Sequence, residues 1–207
     1  SAMKPIYVSP EAIGIDVEPE DSKPMPVLVF GGGYDPSEDD TSGGTRISHS
    51  RGNAIYMVNA LTGELLWTAS PDSSAELTVN GMTNSIVSDI TAIDNDGNGT
   101  TDILYAADTG GRIWRIDLFS DSNPKATEIA DLNDGSIANN TRFYTSPVVA
   151  YNAELDSYVI AIGSGYRAHP LVTDNKDRFF VIIDDKTTTN FTELKQQLNT
   201  YRTIELD

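Results

Sequence analysis

The sequence predicts an all-β protein, and three observations lead to that fold class. Short runs rich in Val, Ile, Tyr and Phe recur along the 207 residues and are separated by Gly, Asp, Asn and Pro, which is the pattern of strands and turns. One strand–turn–strand phrase returns three times. Only residues 191–198, with leucines four apart among good helix formers, predict a helix.

The repeated phrase predicts β-propeller blades. It pairs VLVFGGG with AIYMVNA, ILYAAD with RIWRID and VIAIGSG with RFFVIIDD, and its copies start near residues 27, 102 and 159. Because a propeller usually has at least about four blades, we expect a β-propeller-like domain with about three to four blades of a larger ring, or sheets that close in another way. The expected strands cover residues 26–33, 53–60, 64–70, 85–94, 102–108, 112–118, 145–151, 158–165 and 178–185.

We expect residues 4–207 to form this single domain or a fragment of it. Residues 1–3, Ser-Ala-Met, are interpreted as a cloning remnant outside the fold. Blade edges left exposed would favour pairing between chains, and the sequence leaves the oligomeric state open.

The composition limits the partners that such a protein could bind. Asp and Glu number 31 against 14 Lys and Arg, which gives a formal net charge of -17. A surface this acidic repels nucleic acid and anionic lipid, so divalent cations are better candidates. The longest apolar runs are strand-sized, which argues against membrane insertion. Because the chain contains no cysteine, disulfides, thiolate metal sites and cysteine nucleophiles are excluded.

The stretch DNDGNGTTD, residues 94–102, predicts a calcium-binding loop. Gly99, at position 6 of the stretch, permits a sharp turn. Hard oxygen donors without His or Cys favour Ca²⁺ over zinc or copper, and magnesium prefers to keep waters in a tighter octahedron. The expected donors, at positions 1, 3, 5, 7 and 9, are the side chains of Asp94, Asp96, Asn98 and Asp102 and the backbone carbonyl of Thr100.

A hairpin fits this loop better than a helix–loop–helix site. Position 12, where a bidentate Glu would sit, is Tyr105, and the flanking segments have strand composition. The alternative interpretation is a solvated turn, because Asp-Gly and Asn-Gly are common turn formers.

Other conspicuous residues have structural interpretations. The acidic run 37–40 predicts a solvated loop, and Gly31–Gly33 predict a close backbone crossing because the spacing and following helix of a phosphate loop are missing. His49 and His169 are too isolated in sequence to suggest a catalytic base. Asp108 and Asp117 end strands, where Asp usually caps turns, although both could also support the metal loop.

Residues 52–67, GNAIYMVNALTGELLW, resemble the repeat of quinoprotein-type propellers. Thr62 and Gly63 predict a tight hairpin in which Gly63 takes a positive φ, and Trp67 can fill the space between neighbouring blades. A variant of the motif, with Trp114 on the strand, occurs at residues 109–117. The motif is structural and carries no catalytic group.

Four segments together narrow the resemblance. Residues 26–36, 51–68, 94–118, and 162–171 with 177–180, in that order, look like the C-terminal propeller of the PilY/PilC family of type IV pilus-tip proteins. The resemblance implies a bacterial protein of the periplasm and cell surface, with calcium-dependent control of pilus extension and retraction and a role in surface adhesion. It also implies pilus components or a host or surface receptor as partners.

Three function classes follow from these observations. The first is a calcium-responsive, non-enzymatic module of a pilus-associated protein, and the second is an extracellular adhesion propeller in which calcium is purely structural. The third is a fragment of a quinoprotein-like dehydrogenase. We expect no enzyme, because such dehydrogenases hold their cofactor in a complete, longer propeller, commonly under a vicinal cysteine pair, and this chain has no cysteine.

Overall fold

The computed structural model describes residues 5–16, 18, 22–40, 44–118, 123–186 and 204–205, and these form three β-sheets in chain order. Blade 1 contains β1 (Ile6–Val8), β2 (Met25–Gly31), β3 (Ile55–Asn59), β4 (Leu65–Ser70) and β5 (Leu77–Thr78). Blade 2 contains β6 (Thr91–Ile93), β7 (Ile103–Ala107), β8 (Arg112–Asp117) and β9 (Lys125–Asp131). Blade 3 contains β10 (Val148–Asn152), β11 (Ser157–Gly163), β12 (Arg178–Asp184) and β13 (Ile204–Glu205).

Within each blade the strands follow one another as an antiparallel meander, and only β5 joins its neighbour β4 in parallel. Two short 3₁₀ turns, Glu11–Ile13 and Pro36–Asp40, complete the described secondary structure. The all-β, propeller-like fold class is therefore confirmed, and the three repeated phrases are the antiparallel pairs β2–β3, β7–β8 and β11–β12. No helix in the described part of the chain has the length and apolarity to cross a bilayer.

Most of the predicted strands are present, with one correction. Residues 85–90 were expected to be strand but lie outside the sheets, and only Thr91–Ile93 of that run pair with a neighbour. The reason is a backbone crossing: Gly33 N–H donates to Ile86 O, and Ile86 N–H donates to Gly52 O. Those groups are then not available for a sheet ladder. The predicted helix 191–198 and the remnant 1–3 lie outside the described residues.

Blade 2 is the centre of the molecule. Every residue of β7 is buried, and the alternation of side chains divides them between two apolar clusters. Leu104 and Ala106 pack in the cluster that blade 2 shares with blade 1, whereas Ile103, Tyr105 and Ala107 pack in the cluster shared with blade 3. A strand that is buried on both faces explains the continuous apolar run of its sequence.

The quinoprotein-like motif behaves as the sequence predicts. Gly63 has a φ of 75°, and its N–H donates to Asn59 O across the β3–β4 hairpin. Trp67, on β4, is only 1% exposed and belongs to the cluster between blades 1 and 2. Trp114, on β8, lies in the same cluster. Both indoles therefore contribute to packing between blades.

Gly31 and Gly32 mark the predicted backbone crossing. A Cβ at Gly31 would lie 2.2 Å from Ile86 O, and one at Gly32 would lie 2.7 Å from Gly52 O. Because no side chain fits at either contact, glycine is required at both positions.

The direction of β7 defines two ends of the molecule. β7 starts beside residues 94–102 and finishes at the turn 108–111, so these segments lie at opposite ends of blade 2. We call them the loop end and the turn end. Connections from blades 1 and 3 also reach the turn end, because Arg46 Nη1 donates to Gly110 O and Phe143 N–H donates to Asp108 O.

Candidate metal centre

Residues 94–102 connect β6 to β7 as a hairpin loop. Ile93 and Ile103 form the last pair of the ladder, and Asp102 N–H closes the loop by donating to Ile93 O at 2.9 Å. Gly97 and Gly99 have φ values of 77° and 90°, which let the chain coil back on itself. The predicted hairpin geometry is thus confirmed, and the Gly at position 6 has the backbone conformation that a sharp turn needs.

The loop brings three carboxylates together. One oxygen from each of Asp94, Asp96 and Asp102 can be chosen so that all lie within 4.8 Å of one another. Asp94 and Asp96 are exposed, whereas Asp102 is only 8% exposed. Such a spacing of hard anionic oxygens can hold a divalent cation of the calcium type.

Backbone N–H groups fix these carboxylates in place. Asp94 Oδ1 accepts from Gly97 N–H at 2.7 Å, and its Oδ2 accepts from Gly99 N–H at 2.9 Å. Asp102 Oδ2 accepts from the N–H groups of Asn95 and Asp96, at 2.6 and 3.3 Å. The loop backbone therefore wraps around its own acidic side chains, and the three carboxylates are positioned by local geometry.

Burial makes Asp102 the electrostatic focus of the loop. Loss of solvent raises the pKa of its carboxyl group, the hydrogen bond from Asn95 N–H opposes that shift, and the nearby charge of Asp96 raises the pKa further, as does that of Asp94. The ionised loop therefore concentrates the negative charge of three carboxylates. Among the described residues, no cationic side chain forms an ion pair with any of the three. A bound cation would remove that penalty.

The other two predicted donors lie beside the cluster in a different arrangement. Asn98 Nδ2 donates to Asp96 Oδ2 at 2.9 Å, while Asn98 Oδ1 accepts from Thr100 N–H at 2.7 Å and from Thr100 Oγ1 at 2.5 Å. Rotation of the Asn98 amide would exchange its oxygen and nitrogen. The ligand roles of Asn98 and of the Thr100 carbonyl stay predictions.

Two contacts, which sequence reasoning missed, join the loop to both neighbouring blades. Thr101 N–H donates to Tyr7 O in β1 at 2.7 Å, and the Tyr158 hydroxyl in β11 donates to Asn95 Oδ1 at 2.8 Å. Tyr158 and Asn95 are 63 residues apart in the sequence. No local pattern signals such pairs, because they arise only when the blades pack.

Asp108 and Asp117 are not members of the cluster of Asp94, Asp96 and Asp102, and their carboxylates have other partners. Asp108 is fully buried at the turn end, where it accepts from Gly110 N–H, Arg112 N–H and Trp114 Nε1. The interpretation of Asp108 as a turn-capping residue is therefore confirmed.

Asp117 belongs to a buried ionic cluster between blades 2 and 3. Arg115 Nε lies 3.1 Å from Asp117, and Arg115 Nη1 lies 2.7 Å from Asp184 Oδ1. The Tyr105 hydroxyl donates to Asp184 Oδ2 at 2.7 Å. Burial, followed by the adjacent Asp184 carboxylate, raises the pKa of Tyr105, so this hydroxyl stays protonated and donates.

The expectation of a solvated loop at residues 37–40 is wrong for Glu38. Its side chain is buried, with Oε1 3.3 Å from His49 Nε2 and Oε2 accepting from the Tyr144 hydroxyl at 2.8 Å. His49 Nδ1 accepts from Ser85 N–H, which leaves the ring proton on Nε2, facing Glu38. His49 is thus structural, as its isolation in sequence indicates, and Glu38 is a packed part of the turn end.

Comparison with known proteins decides the family. Residues 65–202 match the family model described as the PilY1 beta-propeller domain. The chain belongs to the PilY1 β-propeller family. The resemblance in the sequence is thereby confirmed, and the acidic hairpin loop 94–102 lies on blade 2 of this PilY1 domain.

Two individual proteins agree with the PilY1 assignment. The chain is 30% identical over 158 residues to "Type IV pilus biogenesis factor PilY1 homolog" of Xylella fastidiosa (strain Temecula1 / ATCC 700964), an alignment that covers 66% of this chain and 9% of that protein. The crystal structure of the Pseudomonas aeruginosa PilY1 C-terminal domain superposes with a TM-score of 0.57 at 17% identity, covering 89% of this chain and 37% of that one. The chain therefore spans less than a tenth of its curated relative.

Proposed function

We propose that this PilY1 propeller domain is a non-enzymatic calcium-binding module of a type IV pilus-associated protein. The observation that carries the proposal is the hairpin loop in which Asp94, Asp96 and Asp102 place carboxylate oxygens within 4.8 Å of one another. Asp94, Asp96, Asn98, Asp102 and the carbonyl of Thr100 are the proposed ligands.

The donor set favours calcium. All candidate donors are oxygens, and three carboxylates around one Ca²⁺ leave a net charge of about -1, which needs no additional basic residue. Asp94 and Asp96 are exposed, so water can reach the loop. Water ligands could therefore complete the coordination shell of Ca²⁺, which commonly contains about six to eight oxygens.

Calcium would act on the domain through the two contacts that join the loop to its neighbours. Without the cation, repulsion among the three carboxylates favours a looser loop. The N–H of Thr101 and the side chain of Asn95 are part of that loop, so their bonds to Tyr7 and Tyr158 would weaken together. Occupancy of one site would then alter the surfaces of blades 1 and 3 as well as blade 2.

In this proposal the calcium-bound state regulates pilus extension and retraction and supports surface adhesion. The protein acts in the periplasm and at the cell surface, and its partners are pilus components or a surface receptor. The support is membership of the PilY1 family and similarity to a relative whose name describes pilus biogenesis.

The test replaces Asp102 by Asn in the full-length pilus protein, with Glu154→Gln as a matched neutralisation of an exposed acid in blade 3. We expect Asp102→Asn to abolish calcium binding and to change surface piliation and attachment, and Glu154→Gln to change neither. Normal piliation and attachment in an Asp102→Asn strain whose protein no longer binds calcium would contradict the regulatory role.

A purely structural calcium site is the second candidate. The observation that favours it is the pair of bonds from the loop to Tyr7 and Tyr158, because a site that clamps three blades would raise stability without any second functional state. In that case calcium would raise the melting temperature, and partner binding below the melting range would not depend on calcium.

A further inference from the structure

A cavity at the turn end has no role in the calcium proposal. Its volume is about 370 Å³, within the range of roughly 300–1,000 Å³ that is usual for sites of small ligands. The lining residues come from connections of all three blades and are Gly33, Tyr34, Val87, Tyr144, Arg167 and Ala168. Loops that converge at one end of a rigid sheet scaffold are a common place for ligand binding.

Buried contacts hold the aromatic wall of this cavity. The rings of Tyr34 and Tyr144 lie 6.2 Å apart, centroid to centroid, with an interplanar angle of 44°. The Tyr144 hydroxyl is anchored on the buried carboxylate of Glu38. Because Glu38 is in turn held close to His49, the Tyr144 ring has little freedom to collapse into the cavity.

The part of the cavity wall that contains Arg167 and Ala168 is also held by neighbouring contacts. Gly165 N–H donates to Arg142 O, and the Tyr166 hydroxyl donates to Glu38 O. The Arg142 guanidinium stacks on the Tyr166 ring at 3.7 Å. These contacts set the course of the chain into Arg167 and Ala168, so both walls of the cavity are attached to the same buried glutamate.

Arg167 gives the cavity its chemical preference. Its side chain is exposed, and within the described residues its guanidinium has no hydrogen-bond or ion-pair partner. In a chain with 31 acidic and 14 basic residues, an exposed guanidinium in the cavity lining supplies a positive charge that an anionic ligand can use. A planar guanidinium matches a carboxylate by paired hydrogen bonds.

We propose that this cavity binds a small ring-bearing carboxylate, with the carboxylate on Arg167 and the ring against Tyr34 and Tyr144. The small residues Gly33 and Ala168 leave space for the ring, and Val87 supplies an apolar side. Tyrosine faces pack against aromatic rings and against the C–H face of a sugar ring alike, so the ligand is an aromatic acid or an acidic monosaccharide.

The test uses benzoate and glucuronate as probes, with benzamide and glucose as their uncharged counterparts, in titrations of the calcium-supplemented chain followed by NMR. We expect at least one of the two acids to bind saturably and its uncharged counterpart to bind about tenfold more weakly or not at all. The acid that binds identifies whether an aromatic acid or an acidic sugar is the ligand class.

Variants locate the binding. Arg167→Gln should weaken the acid about tenfold, because it removes the guanidinium and disturbs no described contact, whereas Lys125→Gln, an equal change of charge on β9, should leave affinity unchanged. Ala168→Trp should fill the cavity and abolish binding. Absence of saturable binding by both acids, or binding that Arg167→Gln leaves unchanged, would overturn the proposal.

Discussion

The Tyr158 hydroxyl of blade 3 donates a 2.8 Å hydrogen bond to Asn95 Oδ1 in the acidic loop of blade 2. Tyr158 is almost fully buried, and its ring lies against Tyr105, whose own hydroxyl reaches Asp184. One aromatic pair therefore connects the proposed calcium loop to the buried ionic cluster between blades 2 and 3. A substitution in the ionic cluster should therefore alter calcium binding by the loop, and a substitution in the loop should alter the stability of the cluster.

Tyr158→Phe tests that connection. The variant keeps the ring and loses only the bond to Asn95, so we expect the free energy of unfolding to fall by about 1 kcal/mol and calcium affinity to weaken. The control is Tyr151→Phe, which removes an exposed hydroxyl bonded to Asp156 and should change stability by less than about 0.5 kcal/mol. Urea denaturation of both variants checks this, and equal effects would contradict it.

The ionic cluster should be costly to disrupt. Asp184→Asn removes one of the two carboxylates that face the buried Arg115 and leaves only Asp117. We expect a loss of about 3 kcal/mol of stability, because the buried guanidinium loses its shorter ion pair and cannot be resolvated. Asp156→Asn is the matched control. Its carboxylate is exposed and lies 3.7 Å from Lys186 Nζ, so the loss of this ion pair should have little effect on stability. Similar urea midpoints for Asp184→Asn and the unmodified chain would show that the pair contributes little.

The glycine crossing between blades offers a steric test. Gly31→Ala would place a methyl group 2.2 Å from Ile86 O, so we expect destabilisation of about 3 kcal/mol or loss of soluble protein. At Gly163 a Cβ would meet nothing within 4 Å, and Gly163→Ala should leave stability unchanged or slightly higher. Thermal melting distinguishes the two, and an unaffected Gly31→Ala variant would exclude the close crossing.

The buried His49 predicts a pH dependence. Burial lowers the pKa of its imidazole below the ordinary value of 6.5, although the nearby Asp35 partly opposes the shift. The unfolded chain therefore binds the proton more readily than the folded chain does. The resulting stability is fully present above pH 6.5 and is lost as the pH falls below that value toward the folded pKa.

His49→Gln should remove this part of the pH dependence. We expect the urea midpoint of the unmodified chain to decrease as the pH is lowered from about 7.5 to 5.5. The midpoint of His49→Gln should decrease less over the same range. Subtracting the two profiles isolates the imidazole from other titrating groups, among them Glu38, whose pKa is raised by burial. Parallel profiles would contradict the assignment.

The local features of the fold could be predicted from the sequence. The alternation of Val and Ile in the strands and the tight turn at Gly63 each depend on a few neighbouring residues, and both appear in the structure as expected. The three copies of the strand–turn–strand phrase also appear as expected, because each copy forms its own antiparallel pair of strands. Strand β9, KATEIAD, was missed because Ala and Glu also suit helices, and β1 is too short to show a period. Pairing with a neighbouring strand decides both.

The candidate site divides in the same way. The acidic spacing of residues 94–102 is local and could be recognised, whereas the hydrogen bonds that join this loop to Tyr7 and Tyr158 depend on how separate blades meet. Glu38 was predicted wrongly, because its acidic neighbours suggest a solvated loop. Contacts with His49, Tyr144 and Tyr166, which are distant in sequence, bury it instead. The affinity of a side chain for a distant partner is not encoded in its immediate neighbours.

Calorimetric titration of calcium into chelator-treated protein, with Asp102→Asn alongside and melting followed with and without the ion, tests the calcium proposal most directly. We expect one site with a dissociation constant of about 10⁻⁶ to 10⁻³ M, a higher melting temperature with calcium, and loss of both in the variant. No heat and no shift of melting in the unmodified chain would contradict the proposal and leave residues 94–102 an acidic hairpin turn.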